Sequence, residues 1–184
     1  RNTEVNSEQG ASVTGFEVAY QQFYDFLPGI LNGLGAQFTY TYIDSEGVDN
    51  QLDPSIPSDD PPTARFDVDA GVFPRISKHN INAVALYEKG PVQARLAYNW
   101  RSSFQLTPRD VIFPFASIYQ PATGQVDASL FYDVTENFKL GVQAVNLFDD
   151  ITETTQTVAP SGLRAPRNFF RNDRRYTLIL RANI

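Results

Sequence analysis

An all-β, antiparallel transmembrane β-barrel is the fold class this sequence predicts, on three observations. Apolar and polar side chains alternate in one stretch after another, the connections alternate short and long, and the polar members are compact and poor in lysine. Residues 90–104, GPVQARLAYNWRSSF, show the first most clearly. Val92, Ala94, Leu96, Tyr98 and Trp100 form one set; Gln93, Arg95, Ala97, Asn99 and Arg101 form the other. Successive side chains of a strand point to opposite faces, so one face suits hydrocarbon and the other suits water.

Seven strands are expected in chain order. The first carries Phe16, Val18 and Tyr20 against Gly15, Glu17 and Ala19, and the second carries Leu34, Ala36, Phe38, Tyr40 and Tyr42 against Gly35, Gln37, Thr39 and Thr41. A weaker third, KHNINAVALYEK, sets Ile81, Ala83, Ala85 and Tyr87 against Asn80, Asn82, Val84, Leu86 and Glu88. The opening stretch is the fourth. The fifth, GQVDASLFYDV, offers Val126, Ala128, Leu130, Tyr132 and Val134, and the sixth offers Phe138, Leu140, Val142 and Ala144. The last, RRYTLILRANI, offers Tyr176, Leu178, Leu180, Ala182 and Ile184. No helix is needed: glycine recurs inside these tracts and is a poor helix residue.

Short connections fall at 28–32, 88–91 and 135–137, and long ones at 45–77, 103–123 and 149–173, the latter rich in Pro, Asp and Ser. Tight periplasmic turns alternating with long extracellular loops are how outer-membrane barrels are built. The last strand follows a long loop, so it runs toward the periplasm, and by counting back so does the first. Seven strands entered from outside leave lipid-exposed edges. The chain, which opens without methionine or a signal segment, is therefore expected to be one C-terminal segment, 1–184, of a larger barrel domain.

A soluble sandwich or carbohydrate-binding module would show lysine and glutamate on its wet face. Here that face carries Gly, Asn, Gln, Thr, Ser and Arg, which suits an enclosed aqueous interior. Aromatics make up 13% of the residues, and Tyr20, Tyr42, Tyr98, Trp100 and Tyr132 on the apolar face are expected to form an interfacial girdle.

Composition closes other routes. Fifteen Lys+Arg against 21 Asp+Glu give a net charge of −6, which argues against a nucleic-acid partner. With no cysteine and one histidine, His79, thiolate and multi-histidine metal sites are excluded. No cofactor, metal or enzymatic activity is expected. Asp59 and Asp60 lie among prolines and read as a solvated loop rather than an acid–base pair. The acidic stretch 44–69 reads as an exposed loop, since its spacing misses the calcium-loop pattern. Arg95, Arg101 and Arg181 on the polar face either line a permeation path or pair with carboxylates inside the barrel. Phe113, Phe115 and Tyr119, in the loop PRDVIFPFASIYQP, either stack on a ligand or pack the loop.

VTGFEVAYQQFYDFLPGILNGLGAQFTYTYIDS, YEKGPVQARLAYNWRSSF, VQAVNLFDD and the terminal RRYTLILRANI, in that order and spacing, resemble the late barrel of TonB-dependent outer-membrane receptors. The resemblance implies a 22-stranded barrel with an N-terminal plug, this chain being roughly the last third. It also implies energised uptake through TonB, a lipid bilayer with lipopolysaccharide around the barrel, and recognition of the last strand (Tyr176, Leu178, Leu180, Ala182, Ile184) by the assembly machinery. The family usually ends in an aromatic residue, and Ile184 departs from that. Siderophore-iron, a cobalamin and an oligosaccharide all stand as substrates, and a passive porin-like barrel is the alternative.

Overall fold

A computed structural model describes residues 10–47, 72–108, 110, 116–159 and 161–183. Eleven strands are present among them: β1 Ser12–Phe23, β2 Leu34–Glu46, β3 His79–Lys89, β4 Val92–Arg101, β5 Phe104–Thr107, β6 Ile118–Gln120, β7 Thr123–Asp133, β8 Phe138–Val145, β9 Ile151–Thr157, β10 Arg164–Arg171 and β11 Arg175–Ala182. The only helical element described is a 3-10 turn, Gly29–Gly33. No described helix is long and apolar enough to cross a membrane, which says nothing of strands.

The seven expected strands form one antiparallel sheet in the order β1-β2-β3-β4-β7-β8-β11. Its register keeps the apolar sets together. Tyr176 pairs with Ala144, which pairs with Ala128, then Leu96, Ala85, Ala36 and Gln22 in turn. Residues paired across strands share a face, so this row crosses the whole sheet on one side. It leaves β11 next to its first residue and reaches β1 next to its last, although both strands run the same way. Such stagger accompanies the tilt of strands in a barrel wall.

That apolar face is bare. Phe16, Val18, Leu96, Tyr98, Leu130, Tyr132, Leu140 and Val142 are all exposed, and on β11 Leu178 reaches 73% exposure. A water-soluble sheet would cover such a face against a second layer, since an exposed large side chain forgoes about 1.5–3 kcal/mol. Here no described element packs on it. The sheet is open, with β1 and β11 as its edges.

Local chemistry explains the turns. Gly90 adopts φ +56°, which the two-residue β3–β4 connection requires and a β-branched residue would resist. At the β1–β2 turn Tyr24 N–H donates to Leu34 O at 2.8 Å. On the polar face, Phe23 lies across Gly35 and Phe131 across Gly141, their register partners. A Cβ at Gly35 would come within 2.8 Å of Phe23 Cδ1, so the glycine makes room for the ring.

The long connections at 103–123 and 149–173 are not simple loops. Each carries a strand pair, and these form a second, four-stranded sheet in the order β10-β9-β6-β5. β5 and β6 continue β4 and β7, and β9 and β10 continue β8 and β11, so this crown prolongs the wall past a set of breaks. Register slips between Gln105 and Thr107 and between Pro166 and Asn168 scramble the alternation that would announce these strands. Most of the connection at 45–77, with Asp59, Asp60 and the bulk of the acidic stretch, lies outside the described residues.

Candidate functional site at the junction of wall and crown

The break between wall and crown is built by the segment Asn146–Asp150. Asn146 adopts φ +55°, a conformation asparagine tolerates because its side chain bonds the local backbone. Its Oδ1 accepts from Asp150 N–H at 2.8 Å, and its Nδ2 donates to Asp150 O at 3.1 Å and Asp173 O at 3.5 Å. Asn146 N–H in turn donates to Asp127 Oδ1 at 2.9 Å. One buried residue, through its side chain and its backbone N–H, thereby ties β7, the end of β8 and the β10–β11 break together. Beside it, Arg171 pairs with Asp149. The guanidinium holds the Asp149 carboxyl below the usual carboxylate range, and Asp149 holds Arg171 above its ordinary value.

Two cavities flank this junction. The upper one, about 250 Å³, lies between the end of β2, residues 72–78 and the crown, with Lys78, Phe104, Gln105, Tyr119 and Arg164 in its lining. Lys78 pairs with Asp44 at 2.9 Å, and the Arg164 guanidinium sits 3.3 Å over the Tyr119 ring. Gln105 is buried, with its Nε2 within reach of Ser117 Oγ (3.4 Å) and Tyr119 Oη (3.5 Å), while its Oε1 has no partner among the described residues. The lower cavity, about 390 Å³, lies against the polar face of the wall beneath β9 and is lined by Thr39, Asn82, Asn99, Arg101, Gln125 and Asp150 among others.

The anticipated site residues are spread over this geometry. Tyr119 is 3% exposed, set into the crown rather than projecting from a loop. Arg101 lines the lower cavity; its Nε donates to Ser77 Oγ at 2.8 Å and its cation lies 4.0 Å over Phe104. Phe104 lines the upper cavity, so Arg101 and Tyr119 come to adjoining spaces. Arg95 does not join them. It borders a separate hollow of about 200 Å³ near Phe23, Leu86 and Phe131. Arg181 lies 5.3 Å from the Phe131 ring. Phe113, Phe115 and Ile184 lie outside the described residues. Tyr20, Tyr42, Tyr98, Trp100 and Tyr132 all fall in the apolar register rows. Tyr176, Leu178, Leu180 and Ala182 form the apolar set of the edge strand β11.

Sequence reasoning missed Gln105, Arg164 and the amides of the lower cavity. Gln105 and Arg164 belong to the crown, which has no alternation to read. Asn82 and Asn99 stood in plain view as polar-face residues, but only the register sets them side by side.

A family model described as "TonB dependent receptor-like, beta-barrel" matches residues 2–147. The chain belongs to that family. No curated protein and no solved structure matches it. TonB-dependent receptors are receptors and transporters of the outer membrane rather than enzymes, and their barrels work with a plug and with TonB. In a TonB-dependent receptor barrel the polar face is the interior and the apolar face the exterior, which accounts for a seven-stranded sheet with a bare apolar side. The match ends at the junction, so β9–β11 lie beyond it. No group of three or more His, Cys, Asp or Glu able to hold a metal occurs among the described residues.

Proposed function

We propose that this chain is the C-terminal part, about the last seven strands, of a 22-stranded outer-membrane receptor that takes up a scarce substrate with energy delivered through TonB. The observation that carries the reading is the apolar face shared by a wall whose first six strands match the receptor-barrel family and whose seventh, β11, continues the same register. Lipid and lipopolysaccharide cover that face, with Tyr20, Tyr42, Tyr98, Trp100 and Tyr132 at the head groups. The free edges of β1 and β11 pair with the remaining strands of the same protein, because unpaired backbone groups are not tolerated in hydrocarbon. The plug fills the polar interior, where Arg95 and Arg181 face it, and the assembly machinery reads Tyr176, Leu178, Leu180 and Ala182 on β11.

In this reading the crown and the two junction cavities form the receiving mouth. Rigid strands present the substrate-contacting groups there, and motion of the plug opens the path beneath. Uptake of ferric chelates and of neutral oligosaccharides by cells expressing the full-length receptor tests this. Accumulation that stops on adding a protonophore, or on deleting TonB, is expected. Accumulation unaffected by either would mean a passive pore.

A further inference from the structure

One row on the polar face differs from the rest. Thr39 on β2 pairs with Asn82 on β3, Asn82 with Asn99 on β4, and Asn99 with Gln125 on β7. Four successive strands thus present neutral amides or a hydroxyl side by side, over roughly 14 Å at the usual strand spacing. No other register row on the described wall does so. The next row toward the rim is interrupted by Arg101, and the next one inward passes through Val84, Ala97 and Asp127.

The row also keeps hydrogen-bonding capacity in hand. Asn82 Nδ2 donates to Asn99 Oδ1, which leaves, among the described residues, the carbonyl oxygen and one N–H of Asn82 and both N–H groups of Asn99. Turning both amides over exchanges these roles and leaves the same count. Gln125 Nε2 donates to Asp127 at 2.8 Å, leaving its Oε1 open. Alternating acceptors and donors therefore line the floor of the 390 Å³ cavity, with Asp150 and Thr152 of the crown side among its other walls.

Charge completes the case. Among the described residues of that lining, Arg101 is the single cation and Asp150 the single anion. Arg101 is already engaged by Ser77 and Phe104. A multiply anionic ligand would find no free cluster of cations here, whereas vicinal hydroxyls, each both donor and acceptor, match an alternating row. We propose that Thr39, Asn82, Asn99 and Gln125 form a subsite for a neutral polyhydroxylated ligand, a short oligosaccharide. The assignment rests on the reading of this chain as an uptake receptor and names what that receptor takes.

The test uses the full-length receptor purified in a non-glycosidic detergent, applied to an array of neutral glycans and, separately, to ferric citrate. Binding to at least one neutral glycan is expected, with affinity falling about tenfold in Asn82→Leu/Asn99→Leu, since each amide hydrogen bond lost is worth a few-fold. Heat-modifiable gel mobility checks that the variant barrel is folded. Should the double variant fail that check, the single Gln125→Leu change carries the same expectation at a few-fold. Capture of ferric citrate with no neutral glycan bound overturns the assignment, and so does glycan binding that the folded variants leave unchanged, the row then serving the plug. Uptake assays separate the two claims. Glycan accumulation insensitive to a protonophore contradicts energised transport but not the sugar subsite. Protonophore-sensitive uptake of the ferric chelate alone does the reverse.

Discussion

The wall and the crown are continuous strands of one chain, yet they are stabilised in opposite ways. In the wall, apolar side chains point outward and stay exposed, and the polar ones face inward. In the crown, Phe104, Ile118 and Tyr119 are buried beside Thr154, Gln156 and Thr157, so apolar and polar groups share one interior. In the proposed reading the wall meets hydrocarbon outside and water inside, which calls for a period of two. The crown, in the same reading, meets water on its outside and buries its own core. The strands break between wall and crown at Ser102–Ser103, at Pro121–Ala122, at Asn146–Asp150 and at Asn172–Arg174.

The largest test of that contrast is a charge on either face of the same strand. Ala128→Arg, at the middle of β7 on its apolar face, is expected to destabilise the reconstituted receptor by about 2–4 kcal/mol in urea unfolding, the cost of arginine near the bilayer midplane. Ser129→Arg, its neighbour on the polar face, sets a second cation beside its register partner Arg95 and should cost no more than about 1 kcal/mol. Equal effects would mean the two faces meet the same medium.

A smaller effect is expected where the regimes join. Asn146→Ala removes the part-buried side-chain bonds to Asp150 and Asp173, each worth about 0.5–1.5 kcal/mol, for a total cost of about 1–3 kcal/mol. Because the loss is local, limited proteolysis should release crown fragments while the wall keeps its heat-modifiable mobility. Simultaneous loss of both would show that wall and crown form one cooperative unit.

The smallest effect is electrostatic. Asp149 is held below its ordinary value by Arg171, so its contribution is present above the unfolded-state value and is lost as pH falls through the folded one. Protease resistance of the crown should be level from neutrality down to roughly pH 4, the ordinary aspartate range, and decline below it. Arg171→Gln should flatten that decline.

The same contrast between wall and crown decides what was legible in the sequence. All seven wall strands could be read because each carries an apolar residue at nearly every second position, as in Val92, Ala94, Leu96, Tyr98 and Trp100. The weak third strand is weak because Val84 and Leu86 place apolar groups on the polar face as well. Of the crown, Tyr119 was singled out as a residue in a loop; the strands around it were not legible, since ITETTQT and RAPRNFFR show no clean alternation and Pro166 precedes a register slip. The sequence also contained every amide of the Thr39–Asn82–Asn99–Gln125 row, but adjacency across four strands is a property of register, which only the folded wall displays.

The central claim is that alternate side chains of the wall lie in lipid while their neighbours border the interior. Residues 1–184 contain no cysteine, so spin labels can be placed singly within this segment at positions 95, 96, 129 and 130 of the full-length receptor in bilayers. Electron paramagnetic resonance should show labels at 96 and 130 relaxed mainly by oxygen, which concentrates in hydrocarbon, and labels at 95 and 129 comparatively more by a water-soluble nickel chelate. Labels at 96 and 130 that are shielded from oxygen, or that follow the nickel chelate as closely as their neighbours do, would contradict the account.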